Sequence, residues 1–133
     1  MIEPPTGVVT LVFTDVQGST ALWDRVPGPM KEALALHDAV VRQAIADAGG
    51  YEVKTEGDAF MVAFASPKAA VDWCLQVQAD LLAAPWPVEI LDQAEAAEVH
   101  SEAGAPLMRG LRVRMGAHTG EPHCQPDPNT GRM

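Results

Sequence analysis

The 133-residue sequence predicts an α/β fold, an α+β sandwich of the ferredoxin-like or polymerase-palm kind. Three observations predict it. A β-branched, apolar run, Val8-Val9-Thr10-Leu11-Val12-Phe13-Thr14, opens the chain. Two helical patterns with one-sided apolar stripes follow, from about Met30 to Ala48 and from Pro67 to about Leu82. Between them lies a hairpin signal with Glu56-Gly57-Asp58 in its turn. The order β-α-α-β-β-α-insertion-β gives an antiparallel-containing central sheet flanked by helices.

Each element has a local reason. The Val8–Thr14 run is apolar nearly throughout and reads as a buried strand that ends at Asp15. Gly18-Ser19-Thr20 opens a short helical segment through Arg25, and Pro27-Gly28-Pro29 is expected to stop it. In the long helix, Ala33, Leu34, His37, Val40, Val41, Ala44, Ile45 and Ala48 recur at the spacing of one buried stripe. Gly49-Gly50 ends it. Tyr51 to Lys54 and Ala59 to Ala65 read as the two strands of the hairpin.

Ser66-Pro67 is an N-cap residue followed by Pro at the first helical position. Ala70, Trp73, Cys74, Val77 and Leu81 form the apolar face of the helix it starts. Pro85-Trp86-Pro87 breaks that helix. Residues 85–108 are Ala- and Glu-rich without a clean strand pattern and read as a partly helical insertion. Leu111 to His118 alternates, with Leu111, Val113 and Met115 on one face and Arg112 and Arg114 on the other. The tail from Thr119 is rich in Pro, Gly and Asn.

Composition excludes several classes of function. Hydrophobic residues make up 47% of the chain, which excludes disorder throughout. The net charge of −9 argues against nonspecific nucleic-acid binding, which needs many phosphates neutralised. It leaves room for a nucleotide, whose phosphates need only local positive charge. Glu89, Asp92, Glu95, Glu98 and Glu102 concentrate the acidic excess and read as a solvated face. No apolar run is long enough for a membrane span, and Met1 to Gly7 has no secretory pattern, so the cytoplasm is expected. Cys74 and Cys124 have no metal-ligand spacing and read as free thiols.

Two carboxylates occupy special places: Asp15 at a buried strand end and Asp58 at a hairpin tip. Asp15 there needs a partner. Hard cations such as Mg²⁺ take carboxylate, carbonyl, water and phosphate oxygens. Two aspartates from adjacent strands can hold two such ions roughly 4 Å apart for displacement at phosphorus. Taken singly, Asp15 also reads as a helix cap and Asp58 as an ordinary turn residue; their joint occurrence favours metal. Gly18-Ser19-Thr20 reads equally as a phosphate cradle or as side-chain capping by Ser19 or Thr20. Lys54 reads as a base or phosphate contact, or as a solvated residue on an edge strand, the latter favoured. Arg112 and Arg114 read as a phosphate clamp or a solvated sheet face. His118 and His123 lack ligand spacing and read as core or loop histidines.

Three of these segments resemble motifs of the class III nucleotidyl cyclase catalytic domain, the adenylyl and guanylyl cyclase family. Phe13-Thr14-Asp15-Val16-Gln17-Gly18-Ser19-Thr20 resembles its first metal-and-phosphate motif. Lys54-Thr55-Glu56-Gly57-Asp58-Ala59-Phe60 resembles the second. Arg114-Met115-Gly116-Ala117-His118-Thr119-Gly120 resembles the strand with a triphosphate-binding arginine. The insertion and its flanking wording look closest to protozoan-type and related bacterial cyclases. The resemblance implies an adenylyl cyclase that makes cyclic AMP and pyrophosphate from ATP with two Mg²⁺ or Mn²⁺ ions. It implies metal ligation by Asp15, Asp58 and the Val16 carbonyl. It places Gly18, Ser19, Thr20 and Arg114 on the phosphates and Lys54 on adenine. It further implies a head-to-tail homodimer whose two chains share each site. Family members then supply a second base-reading residue, an Asn and an Arg beyond the region of Gly120. The sequence reaches Met133 without them, so the expectation is an arm at residues 1–7, a partial domain at residues 8–133, and little activity from this chain by itself. The alternatives are a guanylyl or other nucleotide cyclase, and a non-catalytic module for dimerisation or nucleotide sensing.

Overall fold

The computed structural model describes residues 5–121, and His123, Cys124 and the rest of the tail lie outside them. The first strand, β1 (Val9–Val16), is central. It pairs antiparallel with β3 (Ala59–Phe64) from Thr10↔Phe64 to Thr14↔Phe60. On its other side it pairs antiparallel with β6 (Val113–Gly120) from Val9↔Gly120 to Val16↔Val113. β2 (Tyr51–Glu56) completes a four-stranded sheet in the order β2-β3-β1-β6. The expected α+β architecture is present, with helices on one face of an antiparallel sheet.

That one-sidedness follows from the alternation of side chains along β1. Val12, Thr14 and Val16 are buried, whereas Leu11 and Asp15 are half-buried and Phe13 is exposed. The buried face packs against α2 (Pro27–Ala48) and α3 (Pro67–Ala83). Met30, Ala33, His37, Val41, Ala44 and Ile45 are the buried stripe of α2. Ala70, Trp73, Val77 and Leu81 are that of α3. Phe60, Phe64, Val62 and Val12 meet them in the core. Ser66 caps α3 as expected, its hydroxyl accepting from the Ala69 amide at 3.2 Å. Cys74 is a free, half-buried thiol whose pKa burial pushes up.

Three expectations need correction. β1 does not end at Asp15: its pairing with β6 includes Asp15↔Arg114 and Val16↔Val113, so the ladder carries the strand two residues past Thr14. α1 (Ser19–Arg25) stops before Pro27-Gly28-Pro29 as expected, but α2 starts at Pro27 rather than about Met30, so these three residues form its first turn after Val26 alone. First-turn amides have no intrahelical acceptor, so proline there loses no hydrogen bond. The insertion is partly helical as expected, but it also contains strands. It holds α4 (Val88–Leu91), a 3-10 turn at Ala94–Ala96, and a small hairpin of β4 (Val99–His100) and β5 (Pro106–Met108). No helix among the described residues is long and apolar enough to cross a membrane.

Candidate active site

Residues directly opposite each other in an antiparallel ladder project from the same face. Asp15 and Arg114 are such a pair, on the face away from α2 and α3. Arg114 donates from Nε to Asp15 Oδ1 and from Nη2 to Oδ2, each at 2.8 Å. Asp15 is half-exposed rather than buried, and this arginine is its partner. The pair is open, with side chains 46% exposed for Asp15 and 64% for Arg114, so a ligand can reach both. The hydrogen bonds to Asp15 raise the Arg114 pKa, and the charges of Asp15 and then Asp58 add to the effect.

Asp58 lies at the tip of the β2–β3 hairpin, closed by Glu56↔Ala59. Gly57 takes φ +58 there, a conformation that glycine adopts without steric cost. Because Thr14↔Phe60 is the last β1–β3 pair, Asp58 and Asp15 sit at the same end of adjacent strands. The two aspartates and Arg114 therefore form one electrostatic group. Among the described residues, no cluster of three or more His, Cys, Asp or Glu is arranged to hold a metal ion. Two accessible carboxylates without a cage suit a hard cation such as Mg²⁺, which keeps waters and takes further ligands from substrate phosphate.

Gly18 precedes α1 with φ +71 and is its N-cap, and no side chain caps that helix. Capping by Ser19 or Thr20 is therefore not what starts α1. A Cβ at Gly18 would lie 2.9 Å from Glu95 Cγ, so the insertion packs directly on this loop. Glu95 also pairs with Arg25. The acidic insertion is thus not solely a solvated face. Lys54 lies on edge strand β2, as the simpler reading had it, with its ammonium 3.6 Å from Glu56. Its register partner is Met61, itself opposite Phe13. Lys54, Phe13 and Asp15 consequently share the open face.

Arg112 is not a phosphate clamp on a strand face. It precedes β6 and donates to the carbonyls of Glu95 at 2.6 Å and Ala97 at 2.7 Å, tying the insertion to the sheet. Nothing in the local sequence distinguishes it from Arg114; its acceptors are 15 and 17 residues away. A cleft of about 260 Å³ beside Gln17, Gln78, Leu82 and Met108 lies next to it. Two of its polar groups already serve the fold, Arg112 as described and Gln78 by donating to the Val113 carbonyl at 3.0 Å. The open face around Asp15 is the better candidate. His118 also projects there, opposite Leu11.

A model of the adenylate and guanylate cyclase catalytic domain matches residues 1–129. An adenylate cyclase of Mycosarcoma maydis is 52% identical over 132 residues, covering 99% of this chain and 5% of that protein. One from Neurospora crassa is 46% identical over 132 residues, covering 99% of this chain and 6% of that protein. This chain therefore spans only a small part of these much longer relatives. A solved adenylate cyclase structure from Trypanosoma brucei, described in its monomeric state, superposes with a TM-score of 0.83 at 37% identity. It covers 98% of this chain and 63% of the solved one.

Proposed function

The chain belongs to the adenylate and guanylate cyclase catalytic domain family, and on that premise we propose that it forms part of an adenylyl cyclase site converting ATP to cyclic AMP and pyrophosphate. The observation that carries this reading is the grouping of Asp15, Asp58 and Arg114 at one end of three neighbouring strands, on or beside an open sheet face. A phosphoryl site needs that mixture: carboxylates for cations and a guanidinium for phosphate oxygens.

In the reaction, the ribose 3′-oxygen attacks the α-phosphorus and pyrophosphate departs. Asp15 and Asp58, with the Val16 carbonyl as a further ligand, would hold two Mg²⁺ or Mn²⁺ ions, which when bound would supply Lewis acidity toward the 3′-hydroxyl and neutralise charge on the phosphates. Gly18, with its φ of +71, turns the chain so that Gly18, Ser19 and Thr20 lie against the phosphates. Arg114 exchanges its carboxylate partner for phosphate oxygens and stabilises charge that grows in the transition state. Lys54 donates to N1 of adenine.

The chain works as a head-to-tail homodimer, with Lys54 of one copy serving the aspartates of the other. Support for this comes from the open face itself. It presents Phe13, 47% exposed, beside Met61 and across from Gly116, whose missing side chain leaves room for a partner.

A substrate competition assay tests the reading. The complete catalytic domain should make cyclic AMP from ATP in preference to cyclic GMP from GTP, and Lys54→Glu should weaken that preference. A carboxylate accepts from N1–H and the 2-amine of guanine, whereas the lysine it replaces donates to adenine. Full retention of ATP preference in Lys54→Glu shows that Lys54 is only an edge-strand residue.

A further inference from the structure

The hairpin that carries Lys54 and Asp58 is not regular. Its register runs Tyr51↔Ala63 and Glu52↔Val62, then jumps to Lys54↔Met61, Thr55↔Phe60 and Glu56↔Ala59. Val53 is therefore the extra residue of a β-bulge. The turn at Gly57-Asp58 fixes the pairing on one side, and the segment leaving α2 fixes it on the other. The two registers differ by one residue, and the bulge reconciles them. Bulges strengthen local twist and re-aim the adjoining side chains, here Lys54.

The bulge is spanned on the opposite face of the sheet. Val62 and Phe60 face the helices, so their partners Glu52 and Thr55 do too. The Thr55 hydroxyl donates to Glu52 Oε2 at 2.6 Å, joining the residues on either side of the bulge. Glu52 also accepts from Arg42 of α2, at 3.1 Å from Nε and 3.4 Å from Nη2. The Arg42 guanidinium lies over the Phe60 ring, 5.1 Å from its centroid. Helix, bulge and return strand are thus joined by one set of polar contacts behind Lys54.

We infer that Arg42, Glu52 and Thr55 form a clasp that holds the bulge at Val53 and so aims Lys54 at the open face, making them positioning residues for base selection. The clasp touches neither substrate nor metal in the reading above; it acts through the lysine. This inference rests on Lys54 as the base-reading group, and its test separates the two. Thr55→Val keeps the shape and β preference of the side chain but removes the hydroxyl donor, and Thr55→Ser restores a donor.

In the intact protein, Thr55→Val should raise KM for ATP and lower the ATP-over-GTP ratio of kcat/KM about tenfold, as for loss of a hydrogen bond to a charged acceptor. Thr55→Ser should recover most of that ratio. A structural readout runs beside the assay. With methyl-labelled methionine, the Met61 resonance and its Overhauser effect to the Lys54 side chain should change in Thr55→Val and return in Thr55→Ser. Unchanged Met61 signals in Thr55→Val overturn the clasp. Changed signals with an unchanged nucleotide ratio overturn its role in selection. Absence of cyclase turnover in the unsubstituted protein defeats the functional reading instead, and the Met61 signals then decide whether the clasp aims Lys54.

Discussion

Replacing Arg112 by Met should destabilise the fold far more than the same change at Arg114, two residues away. The sequence treats the two arginines alike, and the structure does not. Arg112 is half-buried and donates to two backbone carbonyls, of Glu95 and Ala97, that anchor the insertion. Its Nε also lies 3.1 Å from Met108 Sδ. Hydrogen bonds from a charged donor are worth about 1.5–3 kcal/mol each, and partial exposure favours the lower end. Two lost bonds then cost about 3 kcal/mol, with methionine keeping much of the aliphatic packing. For a domain of this size that lowers the melting midpoint by roughly 10 °C. Arg114 instead makes an open surface pair with Asp15, and pairs of that kind contribute little to stability. Arg114→Met should therefore melt close to the parent. Circular dichroism melts of the three proteins at one concentration make the comparison. An Arg112→Met midpoint within a few degrees of the parent, or a lower midpoint for Arg114→Met, would refute the assignment of the two arginines.

Two further predictions concern stability. His37 is fully buried between α2 and β3, and burial lowers its pKa below 6.5 against the opposing hydrogen bond and charge of Asp38. The unfolded chain then takes up this proton first as pH falls, so stability is flat above about pH 6.5 and declines below it, by at most about 1.4 kcal/mol per pH unit. Urea midpoints at pH 5.5 and 7.5 should show that decline in the parent and a smaller one in His37→Leu; equal declines would remove His37 as its source. Gly110 has φ +83, and a Cβ there overlaps the Trp86 indole, whose Nε1 donates to the Leu81 carbonyl at 2.7 Å. Gly110→Ala should cost about 2–4 kcal/mol and expose Trp86, read by tryptophan fluorescence and a denaturant titration; an unshifted midpoint with unshifted emission would contradict the packing described.

What was legible in the sequence was what local chemistry decides. Ser66-Pro67 started α3 because both capping signals act within one turn, and Gly49 closed α2 with φ +70 for the same reason. The stripe of α2 was visible because one side of the helix meets one core. Pairing across long separations was not visible. The extension of β1 to Val16 depends on β6, nearly a hundred residues away. The alternation of Arg112, Val113 and Arg114 was readable, but the destinations of the two arginines were not, since those are set by how the insertion folds back. The hairpin of β4 and β5 is too short for an alternating pattern to register. The same holds for the candidate site. Asp15, Asp58 and Arg114 stood out by residue type and motif, whereas the bulge at Val53 and the clasp behind Lys54 arise from a register conflict that no local signal announces.

In the proposed function, Asp15 and Asp58 together support metal-dependent conversion of ATP to cyclic AMP. That is measured as cyclic AMP formation with Mg²⁺ or Mn²⁺ by the complete catalytic domain, by its Asp15→Ala form and by its Asp58→Ala form, with circular dichroism confirming that each stays folded. Both aspartates are accessible, and neither contributes to the hydrophobic core, so folding should survive each change. Metal-dependent turnover is expected in the parent, with its loss by at least about 100-fold in each folded variant. Near-parental turnover in either folded variant would contradict it.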